Sequence, residues 1–338
     1  MSLIKVLGID LGKSTFHVVE HDHAGREVSR SKFNRAKLLQ YLSNHPKVLI
    51  AMESCGGSHW LARRCQSFGH DVKLIPPQYV KPYVKTNKND FIDADAIAEA
   101  ATRPSMRFVS VKSEQAQVIS VIQKIRSSYV KERTACMSRI GAILLEFGMS
   151  FPRGHSAMKL LFQWLADSSE RLPAMLMREL VEHHEYYLQL NERIKSQDKK
   201  LKALVDNDER AQLLKSIPGV GDLTSSRCLS DISNPQDFKN GRHMAAWIGL
   251  VPHQYSTGGK TTLLGISKRG NKVLRTLFIH GARALLSRLE LAEKIFGQWI
   301  VELRARKPFN VAVVALANKL ARIAWSVMVN QKPFEVRV

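Results

Sequence analysis

Acidic residues are in short supply. Only 30 Asp and Glu stand against 51 Lys and Arg in 338 residues, which leaves a formal net charge of +21. An excess of that size opposes compaction of a lone chain and favours a polyanionic partner. Nucleic acid is the expected partner, ahead of an anionic membrane or a merely solvated basic surface. Cysteine is scarce too: Cys55, Cys65, Cys136 and Cys228 show no CxxC spacing, which argues against both a disulfide scaffold and a zinc ribbon and fits reduced cytosolic thiols. No stretch approaches the roughly 20 apolar residues of a membrane-spanning helix. Met1 to Ile9 lacks the small-residue cleavage site of a signal peptide, so a cytoplasmic location is expected. Internal repeats and low-complexity tracts are also missing. What is present is an ordinary hydrophobic fraction of 44%, enough for real cores in two or three domains.

The first third alternates strand and helix signals. Leu3 to Ile9 is a short apolar run ending in Asp10, and Thr15 to Glu20 and Arg26 to Phe33 complete an expected antiparallel meander. A helix around Leu38, Leu39 and Leu42, a strand Val48 to Ala51, a helix from Trp60 to Cys65 and a strand Val72 to Ile75 follow. Strands interleaved with helices indicate an α/β sheet. A further helix from about Asp90 to Thr102 stops before Pro104. From Ser113 the character becomes helical. Val118, Ile122, Ile125, Tyr129, Cys136, Ile140, Ile143 and Leu144 recur at helical spacing, and a second long helix is expected from Met175 to Leu204 with Leu188, Ile194, Leu201 and Leu204 in its stripe. The pair reads as a coiled-coil arm or, equally, as a core face, with a shorter helix near Leu160 to Leu165 between them. The last third holds Gly-rich and basic stretches, then helices over about Lys272 to Leu289 and Val311 to Val329. The resulting division is 1–112, 113–206 and 207–338: α/β, then helical, then mostly helical.

Four acids stand out. Asp10 sits at the end of the first strand and Glu53 just past the strand Val48 to Ala51. Asp90 and Asp93, three apart at a helix start, project from one face. Side chains just beyond strand ends converge on one edge of an α/β sheet, where a helix N-terminus can complete the cluster. Mg²⁺ is held by a few carboxylates together with substrate phosphate oxygens, and one or two such ions serve phosphodiester chemistry. Taken singly, a strand-end Asp is usually a turn residue, and a DxxD pair is usually a solvated first helical turn favoured by the macrodipole. Asp95 and Glu99 rank lower because they lie on other faces or a turn away.

The order of Asp10 in GIDLGKSTF, Glu53 in AMESCGG, and Asp90 and Asp93 in NKNDFIDADAIAEA resembles the DEDD transposases of the insertion-sequence-110 family, whose relatives include the Piv-type invertases. IPGVGDLTSSRCLSDI and FKNGRHMAAWIGLVPHQYSTGGKTTLLGISKRGNKVLRTLFIHGARALL resemble that family's second domain, and QYSTGG and GISKRG its insertion-sequence-1111 subgroup. The resemblance implies a RuvC-like, ribonuclease-H-like N-terminal domain. It also implies a structured bridge RNA that pairs with donor and target DNA, Mg²⁺ on the acidic cluster, a covalent serine–DNA intermediate, and a tetramer built as a dimer of dimers. A bacterial protein, nucleoid-associated when bound to DNA, is implied with it.

Tyr255-Ser-Thr-Gly-Gly259 reads as a small-residue loop, from which Ser256 is the expected nucleophile and Thr257 the fallback, since in many relatives the serine directly precedes the glycine. Without the resemblance, Ser-Thr before Gly-Gly is simply turn chemistry. Gly219 and Gly221 in IPGVG resemble the hairpin of helix-hairpin-helix DNA binders, whose N–H groups meet phosphates, or form a plain interhelical turn. Lys260, Lys268, Arg269, Lys272, Arg275 and Arg283 surround the candidate serine, with Lys272, Arg275 and Arg283 at spacing suited to one helix face. Lys81, Lys85 and Lys88 precede the DxxD helix. Such contacts position nucleic acid without reading its sequence. Three other readings use parts of this pattern: a RuvC-like junction resolvase needing the acids alone, a non-catalytic nucleic-acid binder, and an actin-like ATPase suggested by GIDLGKST. The last lacks a second nucleotide loop and sits badly with the charge.

Overall fold

The computed structural model describes residues 4–85, 89–167 and 172–336. Two compact units emerge: Met1–Glu114 with Ile232–Asn234, and Gln115–Asp231 with Pro235–Val338. The first is α/β and the second mostly helical.

The first unit is built on one sheet. β1 (Ile4–Leu11), β2 (Thr15–Asp22) and β3 (Glu27–Asn34) form the meander, α1 (Arg35–Asn44) crosses over, and β4 (Leu49–Glu53), α2 (Ser58–Ser67) and β5 (Asp71–Ile75) follow. A single turn, α3 (Pro77–Val80), leads towards α4 (Asp90–Ala101). The strand order is β3-β2-β1-β4-β5. β1 runs antiparallel to β2 and parallel to β4, and β4 is parallel to β5. Strand alternation sorts the side chains onto two faces. Leu7, Ile9, Ile50 and Met52 pack with Leu38, Leu42, Leu61 and Cys65 of α1 and α2. On the opposite face Val6 and Ala51 meet the alanine-rich side of α4, Ala96, Ile97 and Ala100. That alanine face lets the helix lie close to the sheet. At Gly8 the approach is tightest: a Cβ there would lie 2.1 Å from the Ala94 carbonyl oxygen.

In the second unit, α5 (Glu114–Glu146) and α8 (Ala174–Asp206) are each 33 residues, about 50 Å of helix at 1.5 Å per residue. With α6 (His155–Lys159) and α7 (Leu161–Asp167) they enclose a core of Cys136, Ile140, Leu144, Met158, Leu161, Leu180, Tyr187 and Leu190. Arg126 is ion-paired with Asp198 and Arg133 Nη1 donates to Asn191 Oδ1 at 2.8 Å, tying the two long helices along their length. The expected stripe is buried at Cys136, Ile140, Leu144, Ile194 and Leu201 and departs from expectation at three positions. Val118, Ile125 and Leu188 are exposed, whereas Ile119, Gln123 and Tyr187 are buried. Near the start of α5 the inward face carries a polar contact, Gln123 Nε2 donating to Ser226 Oγ at 2.7 Å.

The remaining elements are α9 (Glu209–Lys215), α10 (Asp222–Asp231), α11 (Gly241–Ile248), the hairpin β6 (Pro252–Thr257) and β7 (Lys260–Ile266), then α12 (Lys272–Leu286), α13 (Leu289–Phe296), α14 (Gln298–Arg306) and α15 (Phe309–Asn330). The segment expected to be a loop around Ser256 is therefore strand. Gly258 and Gly259, both at positive φ, form a two-residue turn between paired Thr257 and Lys260. α15 corrects another expectation: by length and mean hydropathy it meets the criterion for crossing a membrane, with 44% of its apolar window buried. Its Val313, Leu316, Ala317, Leu320 and Ala324 are fully buried, so the apolar character serves the core of this unit.

Candidate active site

Asp10 lies one residue before the end of β1, and Glu53 is the last residue of β4. Gly8 pairs with Ala51 and Ile9 with Met52 across the parallel ladder. Alternation then sends both Asp10 and Glu53 to the α4 side, next to one another at the carboxyl ends of adjacent parallel strands. α4 starts at the same edge. Its N-cap Asn89 accepts the Phe91 N–H through its side chain, and Asp90 and Asp93 occupy the first turn. Because α4 is pinned at Gly8 by the Ala94 carbonyl, one turn further on, that first turn is held over the strand ends.

The geometry brings in a residue that sequence reasoning missed. His17, on β2 directly opposite Asp10 in the antiparallel register, is 7% exposed. Its Nδ1 is 3.5 Å from Asp90 Oδ2 and its ring meets the Phe91 ring edge-on at 4.7 Å. One ligand atom each from Asp10, His17 and Asp90 lies within 4.8 Å of the others. Asp93 and Glu53 join through their fields. Burial first, then the charges of Asp93 and Asp90, raise the Asp10 carboxyl above its ordinary value, and His17 opposes the shift. The Cys55 thiol is pushed up chiefly by burial and then by the charges of Glu53 and Asp10, so both of those carboxylates flank the start of the loop after β4. The signal for His17 lies in the hairpin register rather than in the residue itself. The tight turn, where Gly12 N–H donates to the Thr15 carbonyl at 3.0 Å, fixes which residues of β1 and β2 pair. Behind this pair, His21 Nε2 contacts Asp95 Oδ1 at 2.7 Å. Asp95 thus anchors α4 to β2, and Glu99 pairs with Lys85 Nζ at 2.9 Å.

Ser256 sits on β6 in the second unit, exposed, with Gln254 Nε2 donating to its Oγ at 2.7 Å and Thr261 opposite. Thr257, next along the pleat, points to the other face of the hairpin. Lys260 is exposed and pairs with Thr257 at the hairpin tip, whereas Lys268, Arg269 and Lys272 are exposed at and beyond the hairpin base. Gly249 at the end of α11 permits the close backbone approach that carries Lys268 and Arg269, since a Cβ there would meet the Arg269 carbonyl at 2.1 Å. Arg275 departs from the expected basic face. It is 8% exposed, and its Nη1 donates to the carbonyls of Ile248 at 2.7 Å and Arg269 at 3.2 Å, so its charge is consumed bracing the turn after α11. Arg283 Nη2 donates to Asn310 Oδ1 at 3.0 Å. Gly219, at φ +82, sits against Gly281 of α12: a Cβ on Gly281 would lie 2.0 Å from the Gly219 carbonyl oxygen, and one on Gly219 would press on Leu285 Cδ1 at 2.9 Å and the Gly281 carbonyl at 3.0 Å; this is a packing reason for the glycines. Gly221 has open space where a Cβ would be, and its carbonyl accepts the Thr224 and Ser225 N–H groups at the start of α10. In the first unit Lys81 and Lys85 are exposed. Lys88 lies outside the described residues.

Residues 211–295 match the transposase IS116/IS110/IS902 family, and residues 7–149 match the DEDD transposases of the IS110 type. The chain is 44% identical to the transposase for insertion sequence element IS1328 of Yersinia enterocolitica, over 97% of each chain. It is 39% identical to the transposase for insertion sequence element IS1111A of Coxiella burnetii, covering 99% of this chain and 92% of that one. Similarity extends to the pilin gene-inverting protein of Moraxella bovis, at 22% identity over 98% of both. With an acidic centre at the sheet edge in one matched region and the Ser-bearing hairpin in the other, the chain belongs to the IS116/IS110/IS902 family and is a DEDD-type DNA transposase.

Proposed function

We propose that this transposase is an RNA-guided recombinase that cuts and rejoins DNA with a divalent cation, Mg²⁺, on Asp10, Glu53, Asp90 and Asp93, and with Ser256 as nucleophile. The observation that carries the reading is the meeting of Asp10, Asp90 and His17 within 4.8 Å, with Asp93 close enough to perturb Asp10. The donor set suits the ion: carboxylate oxygens crowded together repel one another until a cation neutralises them. When bound, the cation supplies Lewis-acid polarisation of the scissile phosphate. The meander followed by two parallel strands, with acids at the carboxyl ends of β1 and β4, supports a RuvC-like fold for residues 1–112.

The chain's own residues divide the work. The carboxylates hold the centre and orient the phosphate. Ser256 Oγ forms a bond to phosphorus as the bond to the DNA oxygen breaks, its proton passing to solvent or a nearby base, and the stored phosphodiester energy is available for rejoining. Exposed Lys260, Lys268, Arg269 and Lys272 hold the backbone near that serine, and Lys81, Lys85 and Lys88 guide a strand towards the acids. The helical region 113–206 serves as an arm, and 207–338 carries the nucleophile. Sequence choice is delegated to a bridge RNA, which the net charge of +21 suits. A tetramer, as a dimer of dimers, supplies serine and acids to each strand.

The test combines purified protein, the structured RNA transcribed beside the gene, and labelled donor and target DNA. Strand exchange should require Mg²⁺ and fall at least about 10²-fold in Asp10→Ala. The denaturant-resistant protein–DNA adduct should vanish in Ser256→Ala. Full strand exchange by Ser256→Ala would reject the serine, and cleavage without exchange or adduct in the wild type would assign a resolvase.

A further inference from the structure

Outside the four acids, the chemically capable group nearest the centre is the His17 imidazole. Its side chain is 9% exposed, so it is nine-tenths buried, and among the described residues its polar contact is Asp90 Oδ2, 3.5 Å from Nδ1. A histidine buried on a sheet face for packing alone finds a firm acceptor, as His21 does with Asp95 at 2.7 Å and His70 with the Leu42 carbonyl at 2.8 Å. His17 has neither a short hydrogen bond nor an apolar substitute's shape. The Phe91 ring, edge-on at 4.7 Å, holds its plane, and its nitrogen faces the gap that Asp10 and Asp90 also face. The separation of 4.8 Å or less among the three ligand atoms is close to the span of ligands across one ion with bonds of roughly 2.0–2.2 Å.

We propose that His17 is a direct ligand of the cation held between Asp10 and Asp90, making the centre a mixed nitrogen and oxygen site that favours Mn²⁺ over Mg²⁺. The proposal rests on the reading that the acids hold a cation. An imidazole is a softer donor than a carboxylate; it adds affinity for a transition ion and little for Mg²⁺, which keeps to oxygen. Its place on β2 also makes the centre independent of α4 for three of its ligands, since Glu53 stands at the end of β4. Asp10 and His17 are joined by a hairpin, and only Asp90 and Asp93 arrive on the helix.

The test is Mn²⁺ binding to the full-length protein, read by titration and by pulsed electron paramagnetic resonance, which detects a directly bonded ¹⁴N. The wild type should bind Mn²⁺ with a ¹⁴N coupling. His17→Gln should lose that coupling and weaken Mn²⁺ at least about tenfold, with Mg²⁺ affinity changed less than about threefold. Asp10→Asn should lose the ion altogether. Wild-type binding without any ¹⁴N coupling would overturn the assignment of His17 and leave the acidic centre standing, a result that needs no variant to fold. Binding indistinguishable between wild type and Asp10→Asn would remove the centre itself.

Discussion

Replacing Gly8 with alanine isolates how α4 positions the acids. The new Cβ would sit 2.1 Å from the Ala94 carbonyl oxygen and 2.8 Å from both the nitrogen and the Cβ of Ala98, and ordinary contact begins at 3.4 Å. None of these atoms is the end of a flexible side chain, so α4 itself must lift by about 1.3 Å. Asp90 and Asp93 ride on its first turn, and Gly8 is two residues from Asp10 on the same face. Overpacking of this kind costs about 1–3 kcal/mol of stability, which leaves a folded domain of ordinary stability still folded. A displacement near 1 Å at reacting groups costs on the order of 10² in rate. The assay pairs thermal unfolding with excision of a marked element carrying its native flanks. A folded Gly8→Ala protein with at least about a 10²-fold drop in excision is expected. Excision within threefold of wild type would refute the claim that the helix-to-sheet spacing sets the centre.

Other substitutions separate charge from packing. Asp10 has its pKa raised in the folded protein, so its ionised form destabilises the cation-free fold, an effect absent at pH below the ordinary value of 3.8 and present above the raised one. Asp10→Asn should therefore raise the melting temperature at neutral pH without added metal while abolishing excision; a lower melting temperature would contradict the crowding. Gly219→Ala should cost about 1–3 kcal/mol in denaturant melts through the clash with Gly281 and the positive φ, with nucleic-acid affinity per folded molecule unchanged. Lys260→Ala, Lys268→Ala and Lys272→Ala should each weaken DNA or RNA binding regardless of sequence and lower the salt slope by about 1. Arg275→Ala should instead destabilise, by about 1–3 kcal/mol, because the buried Ile248 carbonyl and the partly buried Arg269 carbonyl lose their donor. A pure affinity loss in Arg275→Ala would show that the arginine faces phosphate.

The strands and the acids at their ends were legible because short apolar runs stop at polar residues, and Asp10 and Glu53 stand at or just past such stops. His17 was not, because a histidine inside a β-rich run acquires meaning only once the hairpin register sets it against Asp10. The Ser256 hairpin was hidden by its composition. Ser-Thr-Gly-Gly is turn chemistry, yet Gly258 and Gly259 alone make the turn, and the threonines either side extend into strands. In α5 the apolar period held from Cys136 to Leu144, whereas in the first turns Gln123, a polar residue, points inward to Ser226 and Val118 and Ile125 face outward. Arg275 shows the corresponding blindness for charge: spacing places it on a helix face without saying whether that face is wet.

β2 meets α4 at two points five positions apart along the helix, a firm grip of His21 on Asp95 at 2.7 Å and a longer approach of His17 to Asp90 at 3.5 Å. A single grip would leave a pivot, and each residue of slip about the axis swings a side chain through about 100°. The second point limits the roll that the firm one alone would leave open. Asp93, which the strand does not touch in either pairing, therefore inherits its aim from histidines it never meets, and the angular tolerance at its carboxylate is decided on the neighbouring strand.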